Sequence, residues 1–416
     1  MTVHDKIVVS ELLTLIIGLI ALFVGGRVRQ SVPFLRRIDM PNAVVGATIV
    51  AVIVLSAQLW LGTEVVFGER LRDVLLLVFF TTIGLSAKFS ALKAGGRPLV
   101  ILCAVTVVLL VAQNIAGTLV AVGWGAHPFY GLLAGSLSFV GGPGTALAWA
   151  KEADAAGLHG APIVGIGAAT LAVITGALIA GPITGWMVAH HKLKSATPSG
   201  SFVSFVAPRA SEAESAAEDS STLERILSTV FVIAFAVLVG DYINTWAKEE
   251  GLVLPGFLSA MIAGILITNL ADVGRIKLEF APIEKGGEVA LHLFLVMSLM
   301  GVKLIAVAAI LTPLVINVVV QVAVILVIGY FVLFRLLGSD YDAAVTVGGF
   351  LGFGISSMPV AMATMDEIAD RYGPAPKAFL LVTLAGSFFV DLANAIVAKA
   401  FLSLPLYAIT PSAAGG

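Results

Sequence analysis

Apolar residues fill this chain in long blocks, and short charged stretches separate them. A hydrocarbon core of about 30 Å takes roughly 20 apolar residues of helix to cross. Ten blocks meet that length: 8–26, 42–61, 72–91, 99–123, 161–188, 223–247, 252–270, 287–306, 308–334 and 378–405. Two more, 129–150 and 341–365, are as apolar but carry runs of glycine and proline that stop a helix. The first contains Ser138-Phe-Val-Gly-Gly-Pro-Gly-Thr145 and the second Gly348-Gly-Phe-Leu-Gly-Phe-Gly-Ile-Ser-Ser-Met-Pro359. Both read as segments that enter the membrane and turn back.

Composition supports a membrane-spanning chain. Of 416 residues 59% are hydrophobic and 12% charged, about half the charged share of soluble domains. A net charge of -2 argues against a nucleic-acid surface. One cysteine, Cys103, excludes a disulfide framework. Glu11 interrupts the first apolar block, which also lacks a basic leader, so a cleavable signal is not expected.

Basic residues set the sidedness. With the N-terminus outside and both broken segments returning, all but seven of the 24 Lys and Arg fall in inner loops; the exceptions are Lys6, Arg70, Arg72, Lys151, Lys248, Lys303 and Lys399. That is the positive-inside bias. Counting 129–150 as a full span would reverse every later loop and destroy it. Residues 192–222 are rich in Ser, Ala and Glu and read as a flexible cytoplasmic linker between a membrane repeat at 1–191 and another at 223–416.

The halves share landmarks. Leu75–Gly84 (LLLVFFTTIG) aligns with His292–Gly301 (HLFLVMSLMG), Gln113 with Gln321, and Tyr130 with Tyr341. Five spans is an odd number, so the second half enters the membrane upside down. The expected fold is an all-α polytopic membrane protein, with two inverted-topology repeats of five transmembrane helices. Each repeat carries a re-entrant Gly-rich broken hairpin. This pattern belongs to secondary transporters.

Irregular backbone in hydrocarbon survives only inside protein or beside a water-filled cavity. Gly141, Gly142, Gly144 and Thr145 therefore form one candidate binding tip, and Gly352, Gly354, Ser356, Ser357 and Met358 the other. The competing reading is close helix packing through small residues. Asp391 and Asn394, spaced i, i+3 in the last span, share a helix face. With backbone carbonyls they offer hard oxygens to a sodium ion, or else a structural hydrogen-bond pair. Gln113 and Asn114 break another apolar span and are further candidates for the ion. Arg371 follows the second tip, where it either meets a substrate carboxylate or pairs with Asp370 and Glu367. No GxxxxGK[ST], HExxH or GxSxG motif occurs, so an enzyme is not expected.

Long stretches resemble the bacterial glutamate:sodium symporter family: LRDVLLLVFFTTIGLSAKFSALKAGGR (71–97), GLLAGSLSFVGGPGTALAWAK (131–151), YDAAVTVGGFLGFGISSMPVAMATMDEIADRYGP (341–374) and FFVDLANAIVAK (388–399). The resemblance implies a sodium-coupled importer of L-glutamate in the bacterial inner membrane, with both termini periplasmic. It implies a build similar to the sodium-citrate carrier group, hence a homodimer and an elevator movement. Val140 and Pro143 stand where the family commonly has Ser and His. Ser356, Ser357 and Met358 stand where it more often has Gly, Ala and Thr. Carriers of another small carboxylate, and an anion channel or uniporter, are the alternative functions.

Overall fold

The computed structural model describes residues 5–33, 35, 41–92, 95–155, 157–195, 219–250, 254–274, 280–301 and 310–407. Helices α1 (Glu11–Ser31), α2 (Asn42–Leu61), α3 (Arg70–Leu85) and α4 (Gly96–Gly123) come first. Three short helices follow: α5 (Pro128–Leu133), α6 (Ser136–Phe139) and α7 (Gly142–Ala155). The long α8 (Ala161–His190) ends this stretch. Next come α9 (Asp219–Glu249), α10 (Gly256–Val273), α11 (Phe280–Leu299) and α12 (Leu311–Val327), the last prolonged by a π-helical turn to Leu333. A hairpin of α13 (Tyr341–Ile355) and α14 (Met358–Tyr372) precedes α15 (Pro376–Leu384) and α16 (Val390–Leu402), which a π-helical turn, Ala385–Phe389, joins.

The protein is thus nearly all helical, which is consistent with a polytopic membrane protein, since a helix satisfies its own backbone in hydrocarbon. Among the described residues seven helices are long and apolar enough to cross a membrane. Three expected spans differ from the pattern. The block at 72–91 gives α3, which stops at Leu85 after 16 residues. Its end is completed from α10: Thr268 Oγ1 donates to the Leu85 carbonyl at 2.6 Å, Asn269 Nδ2 to the Ala87 carbonyl at 2.8 Å, and Phe89 N–H donates to Asn269 Oδ1 at 3.0 Å. The block at 287–306 gives α11, which begins earlier, at Phe280, and takes in Glu284, Lys285 and Glu288. The block at 378–405 runs as one helical stretch from Pro376 to Leu402 but carries a π-helical turn midway. The expected linker 192–222 overlaps α9, which is already helical at Asp219; residues 196–218 lie outside the described ones.

One element is not visible in the hydropathy. Strands β1 (Asp5–Val8) and β2 (Thr63–Val66) pair in parallel and tie the start of α1 to the end of α2. Beside them the Glu11 carboxylate accepts from the backbone N–H groups of Arg70 and Leu71, at 3.1 and 3.2 Å. It caps α3, where a helix N-terminus favours negative charge.

Helices cross through small residues. A methyl group on Gly264 of α10 would come 2.6 Å from the Thr81 carbonyl oxygen of α3, and one on Gly25 of α1 would come 2.6 Å from Gly46 N of α2. Lipid tails are as apolar as leucine, so close backbone contact replaces the hydrophobic drive between such helices. Two large apolar clusters result. One draws mainly on α4, α8 and α12–α16; the other on α1–α3, α5–α8, α10 and α11. Helix α16 contributes to both.

Candidate functional site

The two glycine-rich segments form two helix breaks, and the breaks touch. In the first, α5 ends at Ala134 and Gly135 turns the chain with φ -99° and ψ -131°. After the single turn of α6, Gly142 adopts φ +69°, a left-handed conformation that glycine reaches at no steric cost. In the second, α13 ends at Ser356, and the N–H groups of Ser356 and Ser357 both donate to the Gly352 carbonyl, at 3.0 and 3.2 Å. A methyl group on Gly142 would come 3.7 Å from the Ser356 carbonyl oxygen. Gly176 of α8 presses on the same serine, with a methyl there 2.7 Å from Ser356 Cβ.

Both breaks restart a helix with proline as the second residue, Pro143 in α7 and Pro359 in α14. The first N–H groups of a helix have no intrahelical acceptor, and proline has none to leave. So Gly142 and Gly144 on one side, and Met358 on the other, carry backbone donors that their own helices do not use. The Gly141 N–H is already spent, donating to the Ser136 carbonyl at 3.0 Å. Thr145 is buried. A methyl on Gly144 would come 3.0 Å from Leu291 of α11 and 3.4 Å from Phe79 of α3, which places those helices over the first tip.

A buried amide cluster surrounds the breaks. Gln113 Nε2 donates to the Gly354 carbonyl at 3.0 Å, and Gln321 Nε2 of α12 donates to the Gln113 carbonyl at 2.9 Å. Asn317 Nδ2 donates to the Ala134 carbonyl at 2.5 Å. Asn114 Oδ1 accepts from Ser136 N–H at 3.1 Å. Asn394 takes the Ser136 hydroxyl at 2.7 Å on Oδ1 and returns Nδ2 to the Ser136 carbonyl at 3.1 Å. Gln113, Asn114, Ser136, Gln321 and Asn394 have no exposed surface. The bonds to the Gly354 and Ala134 carbonyls and to the Ser136 N–H satisfy backbone groups at the helix breaks, where an unpaired one would cost about 1–3 kcal/mol. Gln113 Oε1, Gln321 Oε1, Asn114 Nδ2 and Ser356 Oγ keep no hydrogen-bond partner among the described residues.

The candidates from sequence separate accordingly. Gln113 and Asn114 both point into the cluster, one toward each break. Gly352 lies under the Ala361 backbone inside its own hairpin, and Gly354 against Leu109 of α4. Met358 packs its thioether on Gly386 in the π-helical turn. Asp391 is half-buried and makes no hydrogen bond or ion pair among the described residues. Arg371 is not at the tip. It is exposed in the last turn of α14, stacked 5.3 Å over the Tyr372 ring, and helical rise puts it about 20 Å from Met358. Ser136 and Asn317 were not candidates from sequence, and Gln321 was only a mark of repetition. The i, i+4 spacing of Asn317 and Gln321 in an apolar span was the available signal.

A cavity of about 490 Å³ lies between α4, α5, α8 and α12. Its lining is apolar apart from Tyr130, His159 and Asn317, and no tip residue borders it. It is poorly suited to a charged ligand.

Comparison with known proteins identifies the family. Residues 7–374 match the family model described as sodium/glutamate symporter. Proteins named sodium/glutamate symporter from Escherichia coli (strain K12) and Shigella flexneri are each 37% identical over 401 residues, 96% of this chain and 99% of theirs. One of the same name from Haemophilus influenzae is 34% identical over 388 residues, 93% of this chain and 95% of its own. Coverage at that level is too high to leave out α15 and α16, which follow the family-model match. With the match running through both helix breaks, the chain belongs to the sodium/glutamate symporter family.

Proposed function

We propose that this protein is a symporter that imports glutamate with sodium across the bacterial inner membrane. One observation carries the reading of the ion site. Asp391 is a carboxylate with no partner among the described residues, on the helix that reaches both breaks: Gly386 meets Met358 of the second tip, and Asn394 holds Ser136 beside the first. Intramembrane carboxylates are costly and mark ion pathways, and π-helical turns such as Ala385–Phe389 recur at functional sites. Sodium bound at Asp391 would act on both tips at once. The spare N–H groups of Gly142, Gly144 and Met358, with the Thr145, Ser356 and Ser357 hydroxyls, are then the donors for the substrate carboxylates.

The element order supports two inverted repeats. Helices α1–α4, the broken α5–α7 and α8 recur in order as α9–α12, the broken α13–α14 and α15–α16. In this reading the two breaks are re-entrant tips from opposite faces of the membrane. The body holding both tips moves as an elevator against α1–α3 and α9–α11, and the resemblance to sodium-citrate carriers extends the proposal to a homodimer. The Lys151–Asp73 ion pair at 2.6 Å, between α7 and α3, is one contact such a movement would break.

Uptake of labelled glutamate into proteoliposomes is the test. A sodium gradient should drive saturable accumulation, and replacing sodium by potassium on both sides should abolish it. Equal uptake in potassium rejects sodium coupling. Competition by a panel of dicarboxylates and amino acids identifies the substrate if glutamate fails.

A further inference from the structure

Ser136 marks the first break, and all its polar groups are engaged. Its N–H donates to Asn114 Oδ1 at 3.1 Å and its hydroxyl to Asn394 Oδ1 at 2.7 Å. Its carbonyl accepts from Asn394 Nδ2 at 3.1 Å, from Val140 N–H at 3.1 Å and from Gly141 N–H at 3.0 Å. A carbonyl oxygen has two lone pairs, so three donors compete for it. One comes from α16 and two from the tip. Ser136 therefore joins α16 directly to the backbone of the first tip.

We propose that Ser136 is a ligand of the sodium ion bound beside Asp391, and that it passes ion occupancy on to the first tip. This rests on the reading of Asp391 as the ion site. Asp391 and Asn394 share a helix face, and Asn394 Oδ1 lies 2.7 Å from Ser136 Oγ, so two neutral oxygens stand together on that face. Without the ion, the hydroxyl proton sits between them. A cation drawn to Asp391 and Asn394 Oδ1 repels that proton. The hydroxyl turns on its own bond, with no backbone movement, and its lone pairs face the ion. Asn394 is one planar amide, so drawing Oδ1 to the ion moves Nδ2 relative to the Ser136 carbonyl. That carbonyl is then left to Val140 and Gly141, and the first tip is held more firmly. The substrate meets an ordered tip only after sodium has bound.

The competing role is a structural pin that holds the break and touches no ion. Removing a pin weakens sodium and substrate binding together, or lowers stability alone. Removing a ligand shifts the sodium dependence. Ser136→Ala deletes the hydroxyl; Ser136→Cys keeps nearly the volume but supplies a soft, poor ligand for a hard cation. The full-length protein in proteoliposomes should show half-saturating sodium raised tenfold or more in both variants. The glutamate KM at saturating sodium should stay within about twofold. The rise in melting temperature of the purified protein on replacing choline by sodium should shrink in step, a binding readout that needs no transport. Wild-type sodium dependence in either variant overturns the proposal, and so does an equal loss of both affinities. If Ser136→Ala does not reach the membrane, Ser136→Cys decides alone. Asp391→Asn in parallel separates the two failures. Unchanged sodium activation there removes the ion site itself; a shift there with none at Ser136 removes only the role of Ser136.

Discussion

Gly142 shows how far one residue carries the site. Its φ of +69° costs a residue with a Cβ roughly 1–2 kcal/mol, yet a methyl there meets nothing closer than 3.7 Å. The penalty of Gly142→Ala is therefore conformational, not steric. We expect Gly142→Ala to weaken glutamate affinity about tenfold with normal protein abundance, and Gly142→Asn to be milder, because asparagine tolerates the left-handed region. KM values at saturating sodium check this. Gln113 is the opposite case. Gln113→Leu leaves the Gly354 carbonyl without its side-chain donor in a buried place, and should destabilise the protein by about 1–3 kcal/mol, read as a lower melting temperature in detergent. Gln113 and Asn114 were legible as candidates because amides are rare in an apolar span. Ser136 was not, because a serine in the run Ala134-Gly-Ser-Leu-Ser138 looks like ordinary small-residue packing.

At the scale of the element, breaks and lengths have different origins. Glycine and proline act within the chain, so the breaks at 141–144 and 356–359 were visible from sequence. The end of α3 was not, because its last carbonyls are satisfied by Thr268 and Asn269, more than 180 residues away. Thr268→Val with Asn269→Ala removes those partners. We expect the pair to cost about 2–3 kcal/mol, at roughly one kcal/mol per bond lost, and to speed amide exchange at residues 85–89 more than along α4. Exchange that rises equally in both would reject a local capping role. The contact of Gly264 with α3 is stricter, since a methyl would meet the backbone at 2.6 Å. Gly264→Val should prevent accumulation of folded protein, measured by monodisperse elution in mild detergent.

For the whole molecule, charge decides how strongly uptake is driven. One positive charge moving through 100 mV releases about 2.3 kcal/mol. Glutamate brings one net negative charge, so two sodium ions per substrate would make transport electrogenic and one would not. Potassium-diffusion potentials in proteoliposomes distinguish the two: uptake that rises with an inside-negative potential requires at least two. Sidedness has its own test. Cys103 is the only native cysteine, so Cys103→Ala gives a clean background. A cysteine replacing Ser215 in the linker should react with an impermeant thiol reagent only from the cytoplasmic side. Labelling from the periplasmic side would reverse the proposed orientation.

Sequence alone determined that this is a helical protein with several segments apolar and long enough to cross a membrane, and with two segments broken by glycine and proline. The reason is local. In hydrocarbon each segment must satisfy its own backbone, so span length and helix breakers are written into the segment itself. The tertiary structure decided which polar groups meet. It placed Gln113 on Gly354, Asn394 on Ser136 and Gly142 against Ser356, and it carried Arg371 away from them. These pairings join residues some 200 to 260 positions apart, apart from the displacement of Arg371. They depend on the register and rotation of helices that are distant in the chain, and neither quantity is encoded in the hydropathy of any one of them.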